Sequence, residues 1–386
     1  MRTRQTVAVV LLAILAALSV GEPAAWRAVG PVLAIAALML TQPWWLKFDT
    51  LNVGVLLFVA YVCASWLWSS APWVSFISAM SYVSAAIAFI SLRHVVTSVG
   101  AMRSVAVGYL VGCVYLAVRL LSLSISVAGE PIGGRLNLPG INANYAGYAL
   151  AGGFAVIVLL IATGPSSRLH YALYAAAAAA MIVGVSLSGA RASLVSLVAL
   201  VAWIGVTYFL RRPPVRALVT VVAIAFVLVV SGVVDKALVI FDDTADRSTG
   251  GLSGRLDLWP LAREHWLENF WVGTGTSSFQ SANPYHAGAH NLILELGTGL
   301  GIVGVIGFIA LAWLALKRGN TYLAGGFAAA SSASYITGHW EAAPAAWVGL
   351  ALFSISGIST IRVPTRRQVR LGNAEEAPIA KSHPTM

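Results

Sequence analysis

The chain has 386 residues and a mean hydropathy of +0.82; 59% of its residues are hydrophobic and only 10% are charged. Soluble domains carry about 25% charged residues, so this composition excludes an ordinary soluble globular protein. The formal net charge of +10 is compatible with nucleic-acid binding, but the cations are scattered over short loops between apolar segments, as the positive-inside rule requires, and we expect no nucleic-acid partner.

Apolar runs long enough to cross a hydrocarbon core of about 30 Å recur along the whole chain. They lack the alternation of barrel strands, so they are predicted to be helices. The sequence therefore predicts an all-α polytopic membrane protein with about twelve transmembrane helices. The predicted spans lie near 6–20, 28–41, 51–69, 74–92, 104–126, 144–163, 169–187, 192–210, 217–234, 291–316, 321–337 and 343–360.

Two features that often indicate processing or redox chemistry have simpler interpretations here. The N-terminus has the basic start and apolar centre of a secretory signal, but no small-residue cleavage site follows, so we expect an uncleaved first helix. Cys63 and Cys113 both fall within predicted spans, and we interpret them as packing residues rather than a disulfide or a metal pair.

The distribution of Lys and Arg predicts the orientation. If Met1 is cytoplasmic, the inner segments hold most of the cations, whereas the short outer loops hold only Arg27, Arg135 and Arg191. The positive-inside rule then predicts two cytoplasmic termini. Residues 1–360 are expected to form one transmembrane domain, and the basic residues 361–386 a disordered cytoplasmic tail.

The longest polar interval, residues 235–290, lies on the predicted outer side and is rich in charge, turn residues and histidine. Apolar residues recur at helical spacing in its second half, at Leu258, Leu261, Ala262, Trp266 and Phe270. This pattern predicts an amphipathic helix along the membrane interface, with its tryptophans at the headgroups. Asp257 is a candidate N-cap for it, and Pro260 is placed in its first turn.

Three arginines on the predicted outer side are candidates for binding an anion. Arg191 lies in a tight turn between two apolar helices, where a permanent cation is costly unless it has a partner. Arg255 precedes the interfacial helix, and Arg135 lies in a loop rich in glycine. Guanidinium groups bind phosphate oxygens bidentately, so the three favour a pyrophosphate site. The alternatives are a snorkelling Arg191 and a surface pair between Arg255 and Asp257.

Histidines are the candidates for proton transfer. His290 lies where the long loop re-enters the membrane, and a neutral imidazole there can accept a proton from a hydroxyl; the alternative is a histidine that satisfies a helix end. His286, His290 and Glu295 are potential metal ligands, but too few further ligands lie nearby in the sequence to favour a metal site. His339 and Glu341, in the last outer loop, are further candidates that the sequence ranks no higher.

At these residues the chain resembles the superfamily of O-antigen ligases and polymerases. Three islands carry the resemblance: Arg255, Trp259, Gly273, Gly275, Phe279, His290, Asn291, Gly301 and Gly304 in and after the long loop; residues 188–193 around Arg191; and Arg135, Gly140, Asn142 and Asn144. The chain departs from the family pattern at Ala190, Ala143 and Gly299, where the family commonly has serine, proline and an acidic residue. Glu295, one helical turn before Gly299, is the candidate substitute for that acid.

The resemblance implies a multi-pass glycosyltransferase of the cytoplasmic (inner) membrane whose active site faces outward. It would transfer a glycan from a polyprenyl-pyrophosphate donor to a hydroxyl of a glycan, glycolipid or protein acceptor, with inversion and without a metal or other cofactor. The implied catalytic residues are His290, Arg191 and Arg255. Substrate contacts are expected from Arg135, Asn144, Asn291, His286 and Glu295.

Two alternatives remain open at this stage. A repeat-unit polymerase of the same superfamily would use the same chemistry as a ligase, and the sequence does not separate the two. A small-anion or glycolipid transporter is the alternative from another class, and it requires ionisable groups near the middle of the membrane. Arg119 is the clearest candidate for such a group.

Overall fold

The structure is a computed structural model that describes residues 2–41, 49–126, 136–164, 167–209 and 250–358. Helices dominate these residues. In chain order they are α1 (Arg2–Gly21), α2 (Pro23–Thr41), α3 (Thr50–Ala64), α4 (Pro72–Val95), α5 (Val99–Ser126), α6 (Ala143–Thr163), α7 (Arg168–Ser188), α8 (Arg191–Ile204), α9 (Gly250–Glu268), α10 (Phe279–Ala282), α11 (Leu292–Arg318), α12 (Thr321–Thr337) and α13 (Pro344–Ile355). Short 3₁₀ segments extend α3 and α13.

The predicted all-α membrane architecture is confirmed for the described residues. Eight helices, α1 to α7 and α11, are long and apolar enough to cross a membrane, and α8 and α13 are shorter apolar helices. Every predicted span except 217–234, which lies outside the described residues together with the tail 361–386, coincides with a helix. How many helices span the membrane, and in which direction, remains a prediction.

The helices alternate in direction, so their termini gather at two ends of the bundle. At one end Asp49, the N-cap of α3, forms ion pairs with Arg93 of α4 and Arg318 of α11. At the other end Glu22, between α1 and α2, binds Arg119 near the end of α5. We call these the Asp49 end and the Glu22 end.

The core of the bundle surrounds α13, in which every residue from Pro344 to Ile355 is buried. Trp347 packs edge-on against Tyr82 and Phe89 of α4. A buried helix in this position places the loop 338–343, which precedes it, over the middle of the Glu22 end. The candidate residues of that loop are therefore surrounded by other elements.

Helix α11 is broken at Gly301, whose φ of 63° and ψ of −167° are not helical. The backbone groups that lose helical partners find others: Thr274 N donates to Thr298 O (2.9 Å), Gly275 N to Gly299 O (2.9 Å), Tyr61 Oη to Leu300 O (2.8 Å), Ile302 N to Phe270 O (2.8 Å) and Val303 N to Trp271 O (3.4 Å). Unpaired backbone groups are costly in an apolar setting, so the 270–275 segment and α3 together make this break possible.

The predicted interfacial helix is present as α9, but its predicted beginning was wrong. The helix starts before Asp257, so Asp257 is not its N-cap and Pro260 lies in its interior, where one helical hydrogen bond is missing. Tertiary packing offsets the missing hydrogen bond at Pro260, because the buried residues Leu258 and Ala262, on either side of the proline, contact Phe279 beyond α9. This apolar face therefore contacts protein, and a membrane-surface location for α9 remains a prediction.

Candidate active site

The first half of α9 is fixed directly against the residue that precedes His290. Trp259 Nε1 donates a hydrogen bond to the carbonyl oxygen of Ala289 (3.0 Å), and Ala289 is itself buried in the same apolar cluster as Leu258. Arg255 lies one helical turn before Trp259. The long loop thus brings Arg255 and His290 to one place, as the sequence predicts.

A helix cap sets the backbone of His290. Asn291 is the N-cap of α11: its side-chain oxygen accepts hydrogen bonds from the N–H groups of Ile293 (3.0 Å) and Leu294 (3.1 Å). Its amide nitrogen donates to the carbonyl oxygen of Ile336 at the end of α12 (3.0 Å). His290, just before the cap, has a φ of 51°, a left-handed conformation that is uncommon for histidine and is held here by the cap on one side and by Trp259 on the other.

A second histidine lies against His290. The ring centroids of His290 and His339 are 4.3 Å apart, and the Nδ1 atom of His339 is 3.2 Å from Oε2 of Glu295. The same Glu295 oxygen accepts a hydrogen bond from the Ala289 N–H (2.8 Å). The side chain of Glu295 is only 7% exposed, so its charge is balanced inside the protein by these two contacts.

The two histidines are driven to opposite charge states. Burial, together with the neighbouring cations His339 and Arg255, lowers the pKa of His290 to about 4, although the charge of Glu295 opposes the shift. Burial also disfavours the charged form of His339, but the charge and hydrogen bond of Glu295 outweigh it and raise the pKa of His339 to about 9. At neutral pH the site therefore holds a neutral imidazole beside an imidazolium.

A second buried acid completes this group. Glu341 is 3% exposed, and its Oε2 atom has no hydrogen-bond partner in the part of the chain that the structure describes. Burial raises the pKa of Glu341 to about 7, with His339 opposing and Glu295 adding to the rise. Its backbone is fixed, because Trp347 Nε1 donates to the Glu341 carbonyl oxygen (2.7 Å).

Arg255 carries a donor that the described protein does not use. Its Nε atom is buried and has no hydrogen-bond partner among the described residues. A guanidinium group usually satisfies its N–H donors, so a buried and unused one is a candidate for binding an acceptor supplied by a ligand. The surface pair with Asp257 that the sequence left open does not occur between these two side chains.

Arg191 lies at the same end of the bundle as this group. It is half-buried and begins α8, whose first turn contains no acidic residue. Helix α6 lies between the start of α8 and the 338–343 loop. A Cβ on Gly147 of α6 would lie 2.6 Å from the Cβ of Ala190, the residue before Arg191, and Tyr148 of α6 packs edge-on against Trp340. The positive end of the helix dipole and the Arg191 guanidinium lie together there. This does not stabilise the helix, but it favours binding of an anion near Arg191.

Of the five residues predicted to contact the substrate, the structure describes four. Arg135 lies outside the described residues. Asn144 is half-buried in the first turn of α6, and His286 is exposed with a φ of 49°. Asn291 and Glu295 have the structural contacts given above, and substrate binding by any of the five stays a prediction. In the described ranges no three His, Cys, Asp or Glu side chains form a group that could hold a metal ion.

Comparison with known families gives a match that includes part of this site. Residues 176–309 match a family model described as O-Antigen ligase. That match, over about a third of the chain, supports the resemblance to the O-antigen ligase and polymerase superfamily. Members of this superfamily are membrane enzymes of the glycosyltransferase type. No curated protein matches the chain at a significant level.

The matched region runs from α7 into α11 and contains Arg191, Arg255 and His290. His339 and Glu341 lie beyond it; the sequence named both without ranking them with His290, and the structure places His339 against the His290 ring. A signal was present: they are the two ionisable residues in a loop between the last two apolar helices, and ionisable groups so placed usually have a function. Their partner Glu295 is remote in sequence, so only the fold shows the cluster.

Proposed function

We propose that the protein transfers a glycan from a polyprenyl-pyrophosphate donor to an acceptor hydroxyl on the outer side of the cytoplasmic membrane. One observation carries the proposal: Arg255, a half-buried cation whose buried Nε donor is unused among the described residues, lies near His290, an imidazole held neutral at physiological pH. A diphosphate leaving group needs fixed positive charge, and an acceptor hydroxyl needs a base. Both requirements are met within one small cluster of side chains.

In the proposed reaction the acceptor oxygen attacks the anomeric carbon, and the bond from that carbon to the diphosphate oxygen breaks. The new bond forms on the face opposite the leaving group, so the configuration inverts. The acceptor proton passes to the His290 imidazole, and the lipid diphosphate leaves as an anion. Arg255 and Arg191 stabilise the charge that accumulates on the leaving group, so the step as drawn needs no metal.

Ligase and polymerase differ only in the acceptor. A ligase uses a lipid-anchored core or a protein, whereas a polymerase uses another repeat unit of the same glycan. Purified protein incubated with donor alone separates these two: a polymerase lengthens the glycan, and a ligase does so only when a second acceptor is added.

The transporter alternative is weakened by the position of Arg119. Its guanidinium binds the Glu22 carboxylate in the turn between α1 and α2, and Tyr115 also donates to that carboxylate (3.0 Å). Arg119 is therefore neutralised at the level of a helix turn rather than left as an isolated charge in the middle of the membrane. This contact explains the arginine without a transported anion.

The proposed function is tested by single substitutions in reconstituted membranes, with glycan transfer as the measurement. Removing a positioned base costs about 10²–10⁴ in rate, so His290→Gln is expected to lose transfer to that extent. Arg255→Gln and Arg191→Gln are expected to lose about 10²–10³, as when a charge-stabilising donor is removed. The matched controls are Arg263→Gln, on the exposed face of α9, and His170→Gln, at the Asp49 end. Near-normal transfer by all three site variants, at normal expression, would contradict the proposal.

A further inference from the structure

His339 is enclosed by ionisable groups from every element packed around its ring. Glu295 of α11 approaches its Nδ1 atom, Glu341 lies in its own loop, His290 adjoins its ring, and Arg255 of α9 acts on it through its charge. The packing is close on the remaining side too. A Cβ on Gly288 would lie 2.7 Å from His339 Nε2 and 2.9 Å from Glu295 Oε2.

An ordinary packing role does not account for this environment. Burying Glu295 and Glu341 together is costly, and a neighbouring cation lowers that cost. His339 is the group placed to supply it, since its Nδ1 atom is 3.2 Å from Glu295 Oε2 and the charge of Glu341 also favours its protonated form. Its side chain keeps 35% of its surface accessible, so protons can exchange with it even though its partners are buried.

We propose that His339 is a positioning residue, held as an imidazolium by Glu295 and Glu341, that keeps the adjoining His290 unprotonated and able to accept a proton. The role of His290 as the base rests on the proposed function above. The charge state of His339 does not, because it follows from the contacts of Glu295 and Glu341 alone. His339 touches no reacting atom in this scheme and acts only through its neighbour.

The sign of the pH dependence follows from these charges. The pKa of His339 is raised to about 9, so its imidazolium is present below that pH and lost as the pH rises through it. The pKa of His290 is lowered to about 4, so its neutral form is present above that pH. Transfer should therefore fall at acidic pH when His290 gains a proton, and the charge on His339 sets how low the pH must be for this to happen.

Histidine titration by NMR tests the charge states without any transfer assay. The full chain, labelled at its 7 histidines, is reconstituted in nanodiscs and titrated. One imidazole should titrate above about pH 8, against about 6.5 for an unperturbed histidine, and its signal should vanish in His339→Gln. Glu295→Gln should move that midpoint down by about one unit or more, and Glu341→Gln does the same if the first variant does not fold. His170→Gln should leave it in place.

The pH profile of transfer then tests the effect on His290. In His339→Gln the acidic limb should move upward by about one unit or more, because His290 loses a neighbouring cation and keeps Glu295. A purely structural residue would lower transfer at every pH without moving that limb. If all histidines titrate near their ordinary values, the proposal for His339 is overturned whether or not transfer occurs. If transfer survives His290→Gln while the high-pH imidazole persists, the role of His290 as the base fails and the charge assignment stands.

Discussion

At the scale of single residues, the absence of a side chain at Gly288 allows the loop to pack closely against His339 and Glu295. The loop passes so close to His339 and Glu295 that any side chain at Gly288 would overlap both. Gly288→Ala is therefore expected to separate His339 from Glu295 and to reduce transfer at least tenfold, with little effect on expression, because the position lies in a loop. The measurement is transfer in membranes, with Gly54→Ala as the control: no atom lies within 4 Å of the added methyl there. Equal activity of the two variants would show that the close approach is not needed.

The residues that the sequence predicted and those it missed differ in where their partners lie. Arg255 and His290 were predicted because each is an ionisable residue at the edge of an apolar segment, which is a local signal. The conformation of His290 and the pairing of His339 with Glu295 depend on contacts between α11, α12 and the loop before α13. No spacing rule connects these elements, so the sequence named the residues without showing which of them touch.

At the scale of elements, the break in α11 is stabilised from outside the helix. Tyr61 of α3 donates to the freed carbonyl oxygen of Leu300 at 2.8 Å. Tyr61→Phe leaves that carbonyl without its partner and is expected to lower the free energy of unfolding by about 1–3 kcal/mol. Thermal unfolding of the purified protein in detergent measures this, with Tyr322→Phe as the control because Tyr322 is exposed. An unchanged melting temperature in Tyr61→Phe would mean that water or lipid headgroups replace the tyrosine.

The sequence predicted α11 as one continuous span near 291–316, and its ends are right to within two residues. It did not predict the break. Glycines recur through this segment and only one of them, Gly301, has a non-helical conformation. Which glycine leaves the helix is decided by the 270–275 segment, whose Gly273 and Gly275 also have positive φ. The Gly-x-Gly pattern of the long loop is thus explained by backbone contact with α11, which no local pattern can reveal.

At the scale of the whole molecule, the two ends of the bundle have different surfaces. The Asp49 end carries Arg93, Arg318 and the first residue of α7, Arg168. The Glu22 end carries exposed tryptophans where α3, α4 and the 270–275 segment meet: Trp66 (45%), Trp68 (38%), Trp73 (70%) and Trp271 (71%). Tryptophan concentrates at membrane–water interfaces and basic residues on the cytoplasmic side. Hydropathy predicted where the spans lie along the chain. It did not predict that these tryptophans, of which Trp271 is remote in sequence from the others, lie together around the broken helix α11.

These surfaces predict that the Glu22 end, with His290 and His339, faces outward. In a chain whose Cys63 and Cys113 are replaced by alanine, a cysteine at the exposed Ser281 should react with a membrane-impermeant maleimide in intact cells. A cysteine at the exposed Thr97, between α4 and α5 at the Asp49 end, should react only after the membrane is permeabilised. The two positions are matched in exposure and differ only in the end at which they lie. The reverse labelling pattern would place the site on the cytoplasmic side. That result would contradict both the orientation that the positive-inside rule predicts and the proposed outward location of donor and acceptor.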